Sequence, residues 1–416
     1  MKFVIAGNGI AAITAARSIS AGAPGAQIEI YTDEPHPYYL RPRLIKFLAG
    51  RLRLEDLYVY PPEWYAKRGI AVHLATKVVG LDTSGQRIVM EDGGVASYDR
   101  LLLAVGSSPF QPPVLGMEQD GVFTLRTIDD ALAIKDRAER CISAGSREAV
   151  VIGGGLLGLE CASALTAQGL EVTVLQRGPW LLHKQIDQQG SMVLQGQMEG
   201  LGIGFMANVV SERILANDSV SGVSLRSGLT VPAHLVLCTA GVRPNTDLAE
   251  DAGLKVDRGV IVDSQLRTSA EHVYAAGDVA EFEGQTPCII PAAVEQGRVA
   301  GANMVEPGSA TYRGTVPSTT LKVVGLDLTS IGLIAPQEEG YEELRQVDGA
   351  KGVYRKVVLR NGRIVGAILL GDRQMVPAVT KLIKQGTDVS RYKESLLDDD
   401  FDLETITKQS GGTKKK

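Results

Sequence analysis

Two stretches of the 416-residue chain share one rhythm: an unbroken apolar run, a glycine break, apolar positions at helical spacing, then a second apolar run. The first is KFVIAGNGIAAITAARSI followed by AQIEIYTDE, and the second is EAVVIGGGLLGLECASALTAQG followed by LEVTVLQR. Short continuous runs rich in β-branched residues predict strands buried on both faces of a parallel sheet. Each stretch therefore predicts strand, turn, helix and strand, and the duplication points to two dinucleotide sites in one chain. Between them, SGQRIVMEDGGVASYDRLLLAVG predicts short antiparallel strands and then a buried strand ending at Gly106. Past residue 205, short strands lead to HLVLCTAGVRPN and on to VYAAGDVA. The last part of the chain changes character. YRKVVLRNGRIVGAILLGD has alternating runs around Asn361-Gly362, a strong hairpin signal. VPAVTKLIKQG then predicts a helix, and the acidic and lysine-rich end predicts a disordered final stretch.

The glycine breaks carry chemistry. Gly7, Gly9 and Ala12 fit GxGxxA, in which glycines permit a tight turn and close backbone approach to a pyrophosphate at a helix N-terminus. An acid at the end of the next strand should accept from a ribose; Asp33 and Glu34 both stand there, and Glu34 is preferred. Gly153, Gly155 and Gly158 complete a second GxGxxG, with Glu160 following on the new helix. The strand after it ends in Gln176-Arg177 with no carboxylate. Gln176 can bond a ribose hydroxyl and Arg177 can hold a 2′-phosphate, so the nicotinamide cofactor stays open between NAD(H) and NADP(H), with NAD(H) preferred.

Composition narrows the classes. A hydrophobic share of 44% with 22% charged residues is that of an ordinary globular protein, long enough for two or three domains. The net charge of −5 gives no basic face for nucleic acid, and no apolar run reaches membrane-spanning length. The cytoplasm is the expected location. Cys141, Cys161, Cys238 and Cys288 are scattered and form no CxxC, so no metal, iron–sulfur or dithiol site is expected.

With these turns, the chain resembles the FAD-dependent pyridine nucleotide–disulfide oxidoreductase superfamily. Within it the likeness is to NAD(P)H:rubredoxin reductases, to the flavoprotein part of nitrite reductases and to ferredoxin reductases. Leu103-Ala104-Val105-Gly106 with Pro109 resembles the segment leaving the FAD domain, and Thr239-Ala240-Gly241-Val242-Arg243-Pro244-Asn245 the one returning to it. Tyr274-Ala275-Ala276-Gly277-Asp278 resembles the second FAD signature, whose aspartate contacts the ribityl–phosphate part. Pro291 to Gly297, with Glu295 and Gln296, resembles the helix start beneath the flavin ring. The resemblance implies an α/β fold of two Rossmann-like, three-layer nucleotide-binding domains and a smaller α+β C-terminal interface domain. It implies FAD-domain segments 1–112 and 243–311, an inserted NAD(P) domain 113–242, an interface domain 312–400 and a flexible tail 401–416.

HPYYLRPRLIKF, residues 36–47, stands where disulfide-reducing relatives carry CxxxxC, yet it holds no cysteine. It resembles instead the RPxLxK pattern of rubredoxin and ferredoxin reductases. That likeness puts Arg41 and Pro42 beside the FAD pyrophosphate and ring, and Lys46 toward flavin N5 with Glu160 as its partner. Tyr38 and Tyr39 are expected to pack. The implied activity is electron transfer between NAD(P)H and a redox protein, either rubredoxin, ferredoxin or an iron–sulfur subunit. The alternatives are a NAD(H)-reactive flavoprotein subunit of a larger oxidoreductase, such as a 2-oxoacid dehydrogenase complex, and an NADH oxidase. A complete nitrite reductase is not expected, because its cysteine-bearing domains have no counterpart here.

Overall fold

The computed structural model describes residues 1–316, 318–323, 326–403, 405 and 406. The chain divides into two compact units. The first joins Met1–Phe110, Arg126–Ala131 and Gly241–Thr315; the second joins Gln111–Leu125, Leu132–Ala240 and Val316–Lys416.

The first unit is built on a five-stranded sheet in the order Val273–Ala275, Arg100–Leu103, Lys2–Ala6, Gln27–Tyr31, Ile70–His73, with every neighbouring pair parallel. Phe3, Val4, Ile5 and Ala6 are all fully buried, as a strand covered on both faces requires. From Lys2–Ala6 the chain first adds strands on one side, and later strands join on the other. The sheet therefore has a switch point beside its first strand, where ligands of open α/β sheets sit. Helices Ile10–Gly22 and Ile290–Val305 pack at very short range because Gly297 and Gly301 face the other helix. A Cβ on Gly297 would fall 2.4 Å from the Ala11 carbonyl oxygen, and one on Gly301 would fall 2.6 Å from that of Ala15.

The second unit repeats the plan. Its parallel sheet runs Gly204–Met206, Glu171–Leu175, Glu148–Ile152, Leu235–Cys238, Val122–Phe123. It also contains the C-terminal antiparallel sheet, in the order Ser318–Val323, Leu326–Gly332, Arg363–Leu370, Val353–Arg360, Tyr341–Asp348, and the helix Met375–Gln385. The expected hairpin forms with a two-residue turn: Asn361 (φ 50°) and Gly362 (φ 71°) both lie in the left-handed region, as a type I′ turn demands.

Strand Val353–Arg360 departs from simple alternation. Tyr354 to Leu359 are all buried, so Arg355 and Lys356 sit among apolar side chains and must find counter-charges. Arg355 reaches Asp372 at 2.7 Å, and Lys356 reaches Glu343 at 2.9 Å and Asp187 at 3.2 Å. Asp187 also caps helix Gln188–Gly200 by accepting from the Gly190 N–H, and it accepts from the Tyr354 hydroxyl at 2.7 Å. Burial works against its charge, but these hydrogen bonds and the Lys356 ammonium hold its carboxyl below the usual range. This network explains why the C-terminal sheet clusters with the second parallel sheet. The mixed α/β class with two parallel-sheet halves and a C-terminal portion is the one expected. Leu403 and Ile406 are buried in the C-terminal core, so packing continues beyond residue 400, where a flexible tail was expected to begin. Residues 407–416, the rest of that tail, lie outside the described residues. Among the described residues no helix is long and apolar enough to cross a membrane.

Candidate active site

At the switch point of the first unit, Gly7 adopts φ +104°, and a Cβ there would lie 2.2 Å from the Ala104 carbonyl oxygen. No other residue type fits. Gly9 opens helix Ile10–Gly22 and has nothing within 4 Å of where its Cβ would be, leaving room for a ligand to approach the free N–H groups of the first turn. Around this turn three buried polar atoms have no partner: Asn8 Oδ1, Gln296 Nε2 and Arg126 Nε. The Gln296 amide is oriented by its oxygen, which accepts from the Gly277 N–H at 2.8 Å, so its nitrogen is the idle donor. Unmet donors and acceptors of this kind are rare in a finished interior and mark a place for a ligand.

Charged groups gather at the same end of the sheet. Asp278 accepts from Ser107 Oγ at 2.7 Å and pairs with Arg126 at 3.1 Å. Gly106, at φ +70°, passes beneath the Arg126 guanidinium. Arg41 donates to the Arg126 carbonyl oxygen and pairs with Glu34 at 2.7 Å, while Tyr39 donates its hydroxyl to the other Glu34 oxygen. Burial and the nearby Arg41 cation push the Arg126 guanidinium down. Burial also opposes the Arg41 charge, but Tyr39 and Glu34 leave it raised. Two guanidiniums side by side against a glycine turn suit a pyrophosphate. The idle Gln296 and Asn8 atoms suit the uncharged polar groups of a flavin nucleotide. The residues present fit FAD.

Most sequence-derived candidates of this unit have a place. The structure brings Glu34, Arg41, Gly106 and Asp278 together through Arg126. Gly277 (φ +85°) leads into Asp278, and Gly241 (φ +111°) turns where its carbonyl oxygen accepts from the Phe110 N–H. Ala12 is buried under the glycine turn, and Glu295 accepts from the Thr315 hydroxyl. Pro42 is exposed ahead of helix Arg43–Leu48, and Lys46 is exposed on that helix. Tyr39 does more than pack, since it bridges Glu34 and Arg41.

Arg126 and Ser107 escaped the sequence reading. Arg126 precedes a readable helix start, in which Thr127 and Asp130 cap each other's backbone N–H groups. That signal says where a helix begins. It does not say that the preceding arginine returns to the first unit, away from residues 113–242 around it.

In the second unit, a Cβ on Gly153 (φ +119°) would lie 2.7 Å from the Thr239 carbonyl oxygen, and one on Gly158 would lie 1.9 Å from the Gly153 carbonyl oxygen. Gly155 starts helix Leu156–Gln168 with open space around it, and Glu160 is half-buried on that helix. Gln176 is buried, and its Oε1 accepts from the Gly154 N–H at 2.9 Å; Arg177 is exposed.

Known proteins resemble this chain along most of its length. Residues 1–297 match the family described as pyridine nucleotide-disulphide oxidoreductase, and residues 317–387 match the rubredoxin NAD+ reductase C-terminal domain. The chain is 31% identical to the NADH-rubredoxin oxidoreductase of Clostridium acetobutylicum, over 95% of this chain and 96% of that protein. It is 34% identical to nitrite reductase [NAD(P)H] of Bacillus subtilis, over 94% of this chain but only 48% of that protein. Thus it spans about half the length of that relative. Among solved structures, the ferredoxin reductase for the CYP199A2 system of Rhodopseudomonas palustris superposes with a TM-score of 0.87 at 28% identity, covering 97% of this chain and 99% of that one.

Proposed function

The chain belongs to the pyridine nucleotide-disulphide oxidoreductase family, and from that premise we propose that it is an FAD enzyme moving electrons between a nicotinamide nucleotide and a separate redox protein. One observation carries the acceptor side. The segment 36–47 builds the candidate flavin site with Tyr39 and Arg41 and contains no thiol, so no disulfide stands ready to take the electrons. FAD, when bound, supplies the exchange of a hydride for single electrons that no side chain can perform.

The residues of this chain do the rest. Arg41 and Arg126 hold the negative pyrophosphate, Asp278 and Glu34 keep those guanidiniums in place, and Gln296 offers a donor fixed by Gly277. Lys46 supplies positive charge where negative charge develops during reduction. Four unpaired cysteines suit a reducing compartment, and on this reading the chain works in the cytoplasm.

Purified protein is expected to carry about one FAD per chain and to reduce a one-electron dye rapidly from NADH or NADPH while consuming oxygen slowly. Protein that is colourless and takes up no FAD would sink the reading, and fast oxygen consumption would turn it into an oxidase. Lys46→Met is expected to keep its FAD and slow flavin reduction by about 10- to 100-fold in stopped-flow absorbance. An unchanged rate removes Lys46 from the mechanism. A second reading, that of a nucleotide-binding subunit in a larger assembly, draws support from the half-length match to nitrite reductase. Co-purification with an iron–sulfur protein would favour it.

A further inference from the structure

The reading of Gly153–Gly158 as a nicotinamide-nucleotide turn leaves the identity of the nucleotide open, and the loop behind it decides the matter. Rossmann sites that prefer NAD(H) place a carboxylate at the end of the second strand to bond the ribose hydroxyls. Here Gln176 follows strand Glu171–Leu175, and no acid comes before Asp187. Asp187 is already engaged by Lys356, Tyr354 and the Gly190 N–H.

A chain of hydrogen bonds sets what the loop presents. The Gly154 N–H can only donate, so the atom of Gln176 that it meets at 2.9 Å must be the oxygen. The Gln176 nitrogen is then the donor toward His183 Nδ1, also at 2.9 Å. His183 Nδ1 accepts, so in the neutral ring the proton is on Nε2, and the exposed imidazole offers an N–H donor. Gly178 makes this possible, because a Cβ there would lie 2.7 Å from His183 Nδ1 and 2.8 Å from Gln176 Nε2. The loop is tied back onto the turn by the Leu182 N–H, which donates to the Gly154 carbonyl oxygen at 3.0 Å. Arg177 and Lys184 flank the arrangement and are both exposed. The strand end and the loop after it thus carry two exposed cations, Arg177 and Lys184, and an imidazole N–H oriented by Gln176.

We propose that Arg177 and His183, assisted by Lys184, bind the 2′-phosphate of NADP(H), making this chain selective for the phosphorylated nucleotide. Arg177 supplies planar, charge-assisted hydrogen bonds to the phosphate oxygens. His183 adds a donor whose direction Gln176 sets, which makes Gln176 a positioning residue.

The test compares ADP-ribose with 2′-phospho-ADP-ribose by titration calorimetry on the FAD-loaded chain. The two differ only in the phosphate, and neither can reduce the flavin. The phosphorylated ligand is expected to bind about tenfold tighter or more. Arg177→Ala is expected to remove most of that preference and His183→Ala part of it. His183→Gln, whose amide reaches the Nε2 position, should restore some. Equal binding of the two ligands by the parent protein overturns the inference while leaving the nucleotide site intact, as does a preference that survives Arg177→Ala. If neither ligand binds although FAD is retained, the second glycine turn is no nicotinamide site, and the reading beneath the inference fails with it.

Discussion

A Gly297→Val chain is expected to emerge without FAD and to unfold about 10 °C or more below the parent protein. The reason is backbone against backbone. The new Cβ would lie 2.4 Å from the Ala11 carbonyl oxygen and 3.1 Å from the Ala11 Cα, neither of which can rotate aside. Relief requires helix Ile290–Val305 to move away from helix Ile10–Gly22, and the groups proposed to hold FAD move with it. Gln296 is the preceding residue, and its amide anchors Gly277, the neighbour of Asp278. Ala11 is in the first turn of the helix that Gly9 opens. Overpacking usually costs 1–3 kcal/mol, but a clash with no side chain to repack should cost about 4 kcal/mol or more. Thermal unfolding and the ratio of FAD to protein read the two effects separately. Arg298→Ala, one residue along and exposed, serves as the control. A Gly297→Val protein with full FAD and a melting temperature within about 2 °C of the parent would refute the packing argument.

Lys356→Met should cost about 3–5 kcal/mol. Lys356 is 2% exposed and faces two carboxylates, so its removal leaves Asp187 and Glu343 close together with Arg345 as the remaining nearby cation. Asp187 would also serve its helix less well as an N-cap, since its depressed pKa depends in part on the lost ammonium. The sign of the pH dependence follows. A carboxylate held below its ordinary pKa contributes stability above that ordinary value and loses it as pH falls through the depressed one. In the parent, this contribution therefore fades only under acid conditions. In Lys356→Met it should be smaller at neutral pH, and the acid side of the stability curve should flatten. Denaturant unfolding across that pH range measures both. A loss below about 1 kcal/mol at neutral pH would show that the network contributes little.

The two parallel-sheet halves were legible because fully buried strands write themselves as continuous apolar runs, and the glycine turns between strand and helix are enforced by contacts a Cβ would violate. The hairpin at Asn361-Gly362 was equally legible, as its turn demands residues tolerant of positive φ. What sequence could not show were meetings across long separations. Arg126 pairs with Asp278 across 152 positions, and Tyr354 with Asp187 across 167. Nothing local to YRKVVLR tells that its lysine is buried rather than solvated. Gln176 illustrates a subtler limit. Its place at the strand end was readable, but its commitment to Gly154 and His183 depends on a loop folding back.

The cysteines carry a consequence for durability. Cys141, Cys161 and Cys238 are buried, and burial pushes the thiols of Cys161 and Cys238 up. The half-buried Cys288, beside Asp278, is pushed up to about 11 by burial and the nearby carboxylate. At neutral pH its thiolate is then on the order of one part in ten thousand. Peroxide and alkylating agents attack thiolates, so Cys161, Cys238 and Cys288 react with them slowly. Where a flavin sheds electrons to oxygen, these three thiols are the slowest to suffer from the peroxide that results.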